Sequence, residues 1–244
     1  MGDLGDRRDV ERLGVVPVHH VTRPQQAAIL VLARRHAPSV DPSRNAIGQK
    51  RTESGTLLPE VIPMSYRSVL RELGFDTHGV VTLAEAESCG VPAVEVRKLA
   101  SRGALIRLGQ GVYRMAEVGP GPLDEFAAAV ALVGADAVLA DESVLAAYDL
   151  GQINVRRIKV ATTARVRKRL PPTVQIVRKH VPAHHRADIE GIDSMRVGAA
   201  VLACRGKVME TRLVDATNSA SARGLIDHDE AQRIISELEA ADGR

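Results

Sequence analysis

The chain contains no tryptophan, and aromatic residues of all kinds make up only 2% of it. A core without rings has to be assembled from Ala, Val, Leu and Ile. It also leaves few platforms for base stacking, which argues against an RNA-recognition sheet or a single-strand binder. The two cysteines, Cys89 and Cys204, stand far apart in no paired motif. Neither a disulfide framework nor a zinc site is implied, and a reducing compartment fits. No apolar run reaches the ~18 residues a membrane span needs. The opening MGDLGDRRDVERLG has no apolar stretch behind its charges, so the expectation is a soluble, cytoplasmic protein without a membrane partner.

Catalytic signatures are missing as well. There is no Glu-x-Lys triplet to hold magnesium beside an activated water; Glu95-Val96-Arg97 and Glu210-Thr211-Arg212 come nearest, and arginine does not readily act as a base. Phosphate-binding loops and Gly-x-Ser-x-Gly turns are absent, as their chemistry would require. His19-His20 and His184-His185 are adjacent pairs, and neighbours on a strand point apart, so no metal site is expected from them. Cys89 reads as a small buried residue near a helix end. The expectation is a non-enzyme that needs no cofactor. A metal-dependent nuclease stays open as a second reading, resting on Asp136 or Glu142.

What is present is a chain of 244 residues, 45% apolar, with a formal charge of +3 and a pI near 9.1. That length suggests two compact units. Residues 1–64 are rich in Pro, Gly, Arg and Asp, with one helix-like island at residues 25–36, and read as a largely flexible extension. Residues 65–117 form short, well-punctuated elements. Gly119-Pro120-Gly121-Pro122 then interrupts any regular structure. Residues 123–241 read as a mixed α/β domain. It begins with a helix from Leu123 to Gly134, then a helix with Asp141 as its cap. Alternating strands follow at residues 157–162 and 174–178, and the last helix is capped by Asp227 with Glu230 three residues on. The fold class expected is α+β.

The segment 65–117 is the most informative. Tyr66, Val69, Leu70 and Leu73 recur at helical spacing until Gly74. Val80-Val81 is a short apolar pair. Thr82 with Glu85 forms the capping pattern of a brief helix that ends at Gly90. Pro92 suits a first helical position, and Gly103 supplies the stop of the next helix. There Val96, Leu99 and Ala100 face inward. Outward, from Ala93 at its start, the helix carries Arg97, Lys98, Ser101 and Arg102, the residue types that meet phosphates and read guanine in a major groove. Glu95 suits a cytosine amino group or a pair with Lys98. Leu105–Leu108 and Val112–Met115 flank Gly109-Gln110-Gly111, a hairpin with Arg107 and Arg114 on its strands and Gln110 at its tip. Three helices and a hairpin in this order predict a winged helix-turn-helix that binds double-stranded DNA. A protein-interaction module with a solvated cationic surface is the alternative.

The run GVVTLAEAESCGVPAVEVRKLASRGALIRLGQGVYRM resembles the N-terminal domain of AbiEi antitoxins, with their glycine-flanked basic helix and G-x-G-V-Y wing. LADESVLAAYDLG, the basic strand RRIKVAT and IEGIDSMRVG are similar to the family's second domain. Tyr148 and Asp149 stand where members commonly have His-Gly, and ETRLVDAT replaces the usual arginine-threonine start, which implies a divergent, actinobacterial-type branch. The resemblance implies a repressor of its own promoter that binds inverted repeats and counteracts a nucleotidyltransferase-like toxin. A regulator whose second domain senses a small molecule is a further reading. A homodimer is compatible with symmetric half-sites.

Charge is unevenly placed. Between residues 150 and 187 stand Arg156, Arg157, Lys159, Arg165, Arg167, Lys168, Arg169, Arg178, Lys179 and Arg186, with no Asp or Glu, whereas residues 188–244 hold eleven acids against seven cations. The first nine of these cations form the expected basic face. It would extend the DNA footprint or dock an acidic toxin surface or that toxin's nucleotide-bearing substrate, against a merely solvated surface as the alternative.

Overall fold

Residues 65–242 are described by the computed structural model, and the extension expected at 1–64, with its helical island, lies outside the described residues. The described chain is α+β. Its first helix, α1 (Tyr66–Phe75), starts where Ser65 Oγ accepts the Ser68 N–H at 3.2 Å, a serine N-cap. The expectation ended this helix at Gly74, but it runs on to Phe75. Gly74 is instead a point of close approach, since a Cβ there would lie 3.2 Å from Met115 Cγ. The chain reverses at His78 and Gly79, with φ of 52° and 75°.

Next come β1 (Val80–Thr82), α2 (Leu83–Ser88), α3 (Ala93–Ser101), β2 (Leu105–Gly109) and β3 (Val112–Met115). The three strands form one antiparallel sheet in the order β1-β3-β2, with Val81 opposite Tyr113 and Leu105 opposite Met115. Helix, strand, two helices and a closing hairpin in this arrangement make a winged helix-turn-helix. Thr82 and Glu85 form the expected capping box, each side chain meeting the other's backbone N–H. Pro92 is the cap of α3 rather than its first residue. Val69, Leu70, Val81, Ala86, Val91, Val96, Leu105, Tyr113 and Met115 bury themselves in one cluster between these elements.

The remainder comprises α4 (Asp124–Val133), β4 (Val138–Leu139), α5 (Glu142–Ala147), β5 (Ile158–Ala161), β6 (Val174–Val177), a 3₁₀ turn (Ala183–His185), β7 (Arg186–Ile189), β8 (Ile192–Met195), α6 (Val197–Ala203), α7 (Glu210–Ala222) and α8 (His228–Asp242). Its sheet runs β6-β5-β4-β8-β7, with β5-β6 and β4-β8 parallel and the other pairs antiparallel. Helix α4 packs against β5 and β8, and α6, α7 and α8 pack against one another. Asp227 accepts the Glu230 N–H at 2.6 Å, the cap expected for α8.

Two expectations fail here. Asp141 precedes α5 but makes no capping hydrogen bond, because its carboxylate takes Lys179 and Lys207 instead. Its backbone stands at φ 53° and ψ −135°, a conformation costing a side-chain-bearing residue about 1–3 kcal/mol. His184 and His185 lie on the 3₁₀ turn rather than on a strand, and their rings meet edge to face at 4.3 Å.

The break at Gly119–Pro122 falls between two hydrophobic clusters, yet the larger cluster also takes in Val80 and Val112 from the winged helix. Helix α4 packs on all three winged-helix strands, and Leu132 presses so closely on Gly109 that any Cβ there would overlap it. Arg114 pairs with Asp124 at 3.3 Å. At the other flank His78 Nε2 lies 2.9 Å from the Glu190 carbonyl oxygen, and Gly191 lies directly against the Asp76 carbonyl. The winged helix is therefore clasped at two places.

Glu117, just past β3, receives Arg67 at 2.6 Å and Arg71 through both Nε and Nη2 at 2.6 and 3.0 Å. The Arg71 hydrogen bond first, then that of Arg67, lowers its carboxyl from 4.5 to about 2. A depressed carboxylate stabilises the fold above its unfolded value and loses that contribution as pH falls through the folded one. Glu117→Gln is thus expected to lower Tm slightly at pH 7. The gap from the parent should close as pH drops from 4.5 toward 2 in parallel melts.

Candidate nucleic-acid interface

Helix α3 is oriented by Val96, which is 1% exposed, with Leu99 and Ala100 half-buried beside it. The opposite side shows Arg97, Lys98, Ser101 and Arg102, all exposed, while Ala93 is half-buried in the first turn. Lys98 Nζ pairs with Glu95 at 2.8 Å, so its charge is locally shared. Ser101 Oγ donates to the Lys98 carbonyl at 2.9 Å. Arg97 and Arg102 have no acidic partner among the described residues, which makes them the uncompensated cations of this helix.

The wing turns at Gly109–Gly111, with Gly111 at φ 73° and a register shift between Arg107 and Gly109. Arg107 and Gln110 are exposed, and Arg107 Nε donates to the Gly109 carbonyl at 3.3 Å. Arg114 does not share this surface. Its strand is central in the sheet, and its guanidinium turns to Asp124, whose other partner is the Gly121 N–H at 3.0 Å. Arg114 is therefore a docking residue between the winged helix and α4.

Sequence reading missed two residues of this surface. Val94 is 55% exposed on α3 and Ile106 is 44% exposed on β2. The signal was available for Val94, which sits about 200° around the helix from Val96. An outward apolar side chain on such a helix suits a thymine methyl.

The second cationic group is split by the structure. Arg156, Arg157, Arg165, Arg167, Lys168, Arg169 and Arg178 are exposed. Residues 165–169 lie in the crossover between β5 and β6, so they border the edge strand β6, and Lys168 Nζ reaches the Leu132 carbonyl at 3.5 Å. Lys159 and Lys179 do not belong to an open face. Lys159 pairs with Glu142 at 2.5 Å, and Lys179 with Asp141 at 2.5 Å. Burial alone would raise the Asp141 carboxyl. The hydrogen bonds and charges of Lys179 and Lys207 outweigh it and hold the group below its ordinary value.

Cys89 and Cys204 are both buried. Burial first, then Glu142 and Asp141, pushes the Cys204 thiol up to about 12, so it stays protonated at neutral pH and is no nucleophile. Asp136 is exposed. Among the described residues no three His, Cys, Asp or Glu side chains gather where they could hold a metal ion, and no helix is long and apolar enough to cross a membrane.

Residues 70–116, from α1 to just past the wing, match the family described as "Transcriptional regulator, AbiEi antitoxin". No curated protein matches the chain.

Proposed function

We propose that this chain, whose residues 70–116 match the family described as transcriptional regulator, AbiEi antitoxin, is the antitoxin of a toxin–antitoxin pair and the repressor of its own promoter. The reading rests on one observation above all. Arg97 and Arg102 project without acidic partners from a helix whose entry is fixed by a tight turn and whose back is packed into the core. Such a helix enters a major groove with Arg97 near base edges and Lys98 and Arg102 toward phosphates, while Arg107 and Gln110 of the wing meet the neighbouring backbone or minor groove. A homodimer would set two such helices on inverted half-sites. The C-terminal domain counters a nucleotidyltransferase-like toxin encoded beside it.

A reporter driven by the DNA upstream of the gene tests both halves. Supplying the chain should repress it, and the double variant Arg97→Ala/Arg102→Ala should restore expression. In the same cells, growth arrest by the neighbouring nucleotidyltransferase-like protein should be relieved by the chain. Repression without relief would replace the antitoxin reading with a regulator that has no toxin. Charge reversal at Arg165, Arg167 and Arg169 separates the roles of the basic border. Loss of relief with repression intact assigns it to the toxin, and the converse assigns it to DNA.

A further inference from the structure

A cavity of about 730 Å³ opens between the start of α5, the segment 153–157, the strands β5 and β6, and the start of α7. This size is typical of a small-molecule site. Five cations line it, namely Arg156, Arg157, Lys159, Lys207 and Arg212, against the single carboxylate of Glu142. Three of the cations are held by neighbours. Lys159 is held by Glu142 at 2.5 Å and Lys207 by the buried Asp141 at 3.2 Å. Arg212 Nη1 donates to the Gln152 carbonyl at 3.3 Å. Gly151, at φ 62°, lies so close to α7 that a Cβ would overlap the Arg212 carbonyl. The Lys159, Lys207 and Arg212 side of the cavity is thus fixed before binding, and a site built in advance loses less on binding.

We propose that this cavity binds a nucleoside phosphate. The phosphates fit Arg156 and Arg157, which have no acidic partner among the described residues, together with Lys207 and Arg212. Two further features ask for more than a bare anion. Ile153, Val155 and the 67%-exposed Met209 provide an apolar wall suited to a ring. Glu142 Oε2 is buried and accepts no hydrogen bond. A hydroxyl or amino group on the ligand would supply its donor. The concave shape favours a free nucleotide over the phosphates of a duplex, whose convex backbone cannot carry a base onto that wall. The proposal goes beyond DNA binding by the winged helix and stands or falls separately from it.

The test is calorimetric titration of the full chain with ATP, GTP and inorganic tripolyphosphate at low salt. At least one nucleotide should bind saturably and more tightly than tripolyphosphate. Arg157→Ala should weaken binding at least about tenfold, whereas Arg233→Ala, an exposed cation of α8 outside the cavity, should leave it unchanged. Glu142→Gln should reduce nucleotide affinity while leaving tripolyphosphate binding equal or stronger. Melting curves identify any variant that has lost its fold, and Arg156→Ala then substitutes for it. Three results would overturn the proposal: no saturable binding of either nucleotide, equal losses in Arg157→Ala and Arg233→Ala, or nucleotide binding no tighter than that of tripolyphosphate.

Discussion

Replacing Arg97 with alanine is expected to reduce affinity for the promoter by about 5- to 150-fold while changing affinity for a scrambled duplex far less. The range follows from the ~1–3 kcal/mol that one bidentate arginine–guanine contact contributes to discrimination. Arg97 is the appropriate residue to test because it is exposed on α3 and unpaired among the described residues, whereas Lys98 already shares its charge with Glu95 at 2.8 Å. Lys98→Ala should therefore act weakly and almost equally on both duplexes, lowering the salt slope by about one at most. Gel shifts of both variants on both duplexes check this. Equal losses on promoter and scrambled DNA in Arg97→Ala would move Arg97 from base reading to phosphate contact.

The second large effect is expected where the β7-β8 turn clasps the winged helix. Gly191 stands at φ +88° on the β7-β8 turn, against the Asp76 carbonyl just beyond α1. Gly191→Ala adds backbone strain of about 1–2 kcal/mol to an overlap with main chain, which costs about 1–3 kcal/mol where neither side can yield. The expected loss is about 2–5 kcal/mol by denaturant unfolding. Gly224 provides the control, since its φ of +70° is similar but nothing lies within 4 Å of its added Cβ. Gly224→Ala should show the backbone cost alone. Equal losses in the two variants would mean that the Gly191 contact adds nothing to stability.

The winged helix was legible because its signals are local. The Thr82–Glu85 capping box, the glycines at 90, 103 and 111, and the spacing of Val69, Leu70 and Val96 each act within a few residues. The outward face of α3 followed from the same periodicity. Less legible were the destinations of charges, which depend on partners far away in sequence. Asp141 has the composition of a cap and the position of one, but Lys179 and Lys207 claim its carboxylate across 38 and 66 residues. Arg114 reads as a wing cation until Asp124 is brought beside it by the docking of α4. The ten-cation run from 150 to 187 suggested one face, and the fold divides much of it among a loop border, a cavity and two half-buried pairs. The cavity itself needed Lys207 and Arg212 from the acidic end of the chain, which no local pattern joins to Arg156 and Arg157.

A salt-titrated gel shift decides whether α3 reads a specific DNA sequence. Purified full-length chain is mixed with DNA from upstream of its own gene and with a scrambled duplex of equal length and composition. The prediction is a shift on the upstream DNA that persists at salt concentrations where the scrambled complex has dissociated, and that Arg97→Ala moves to about 5- to 150-fold higher protein concentration. Identical binding curves for the two duplexes at every salt concentration would contradict it.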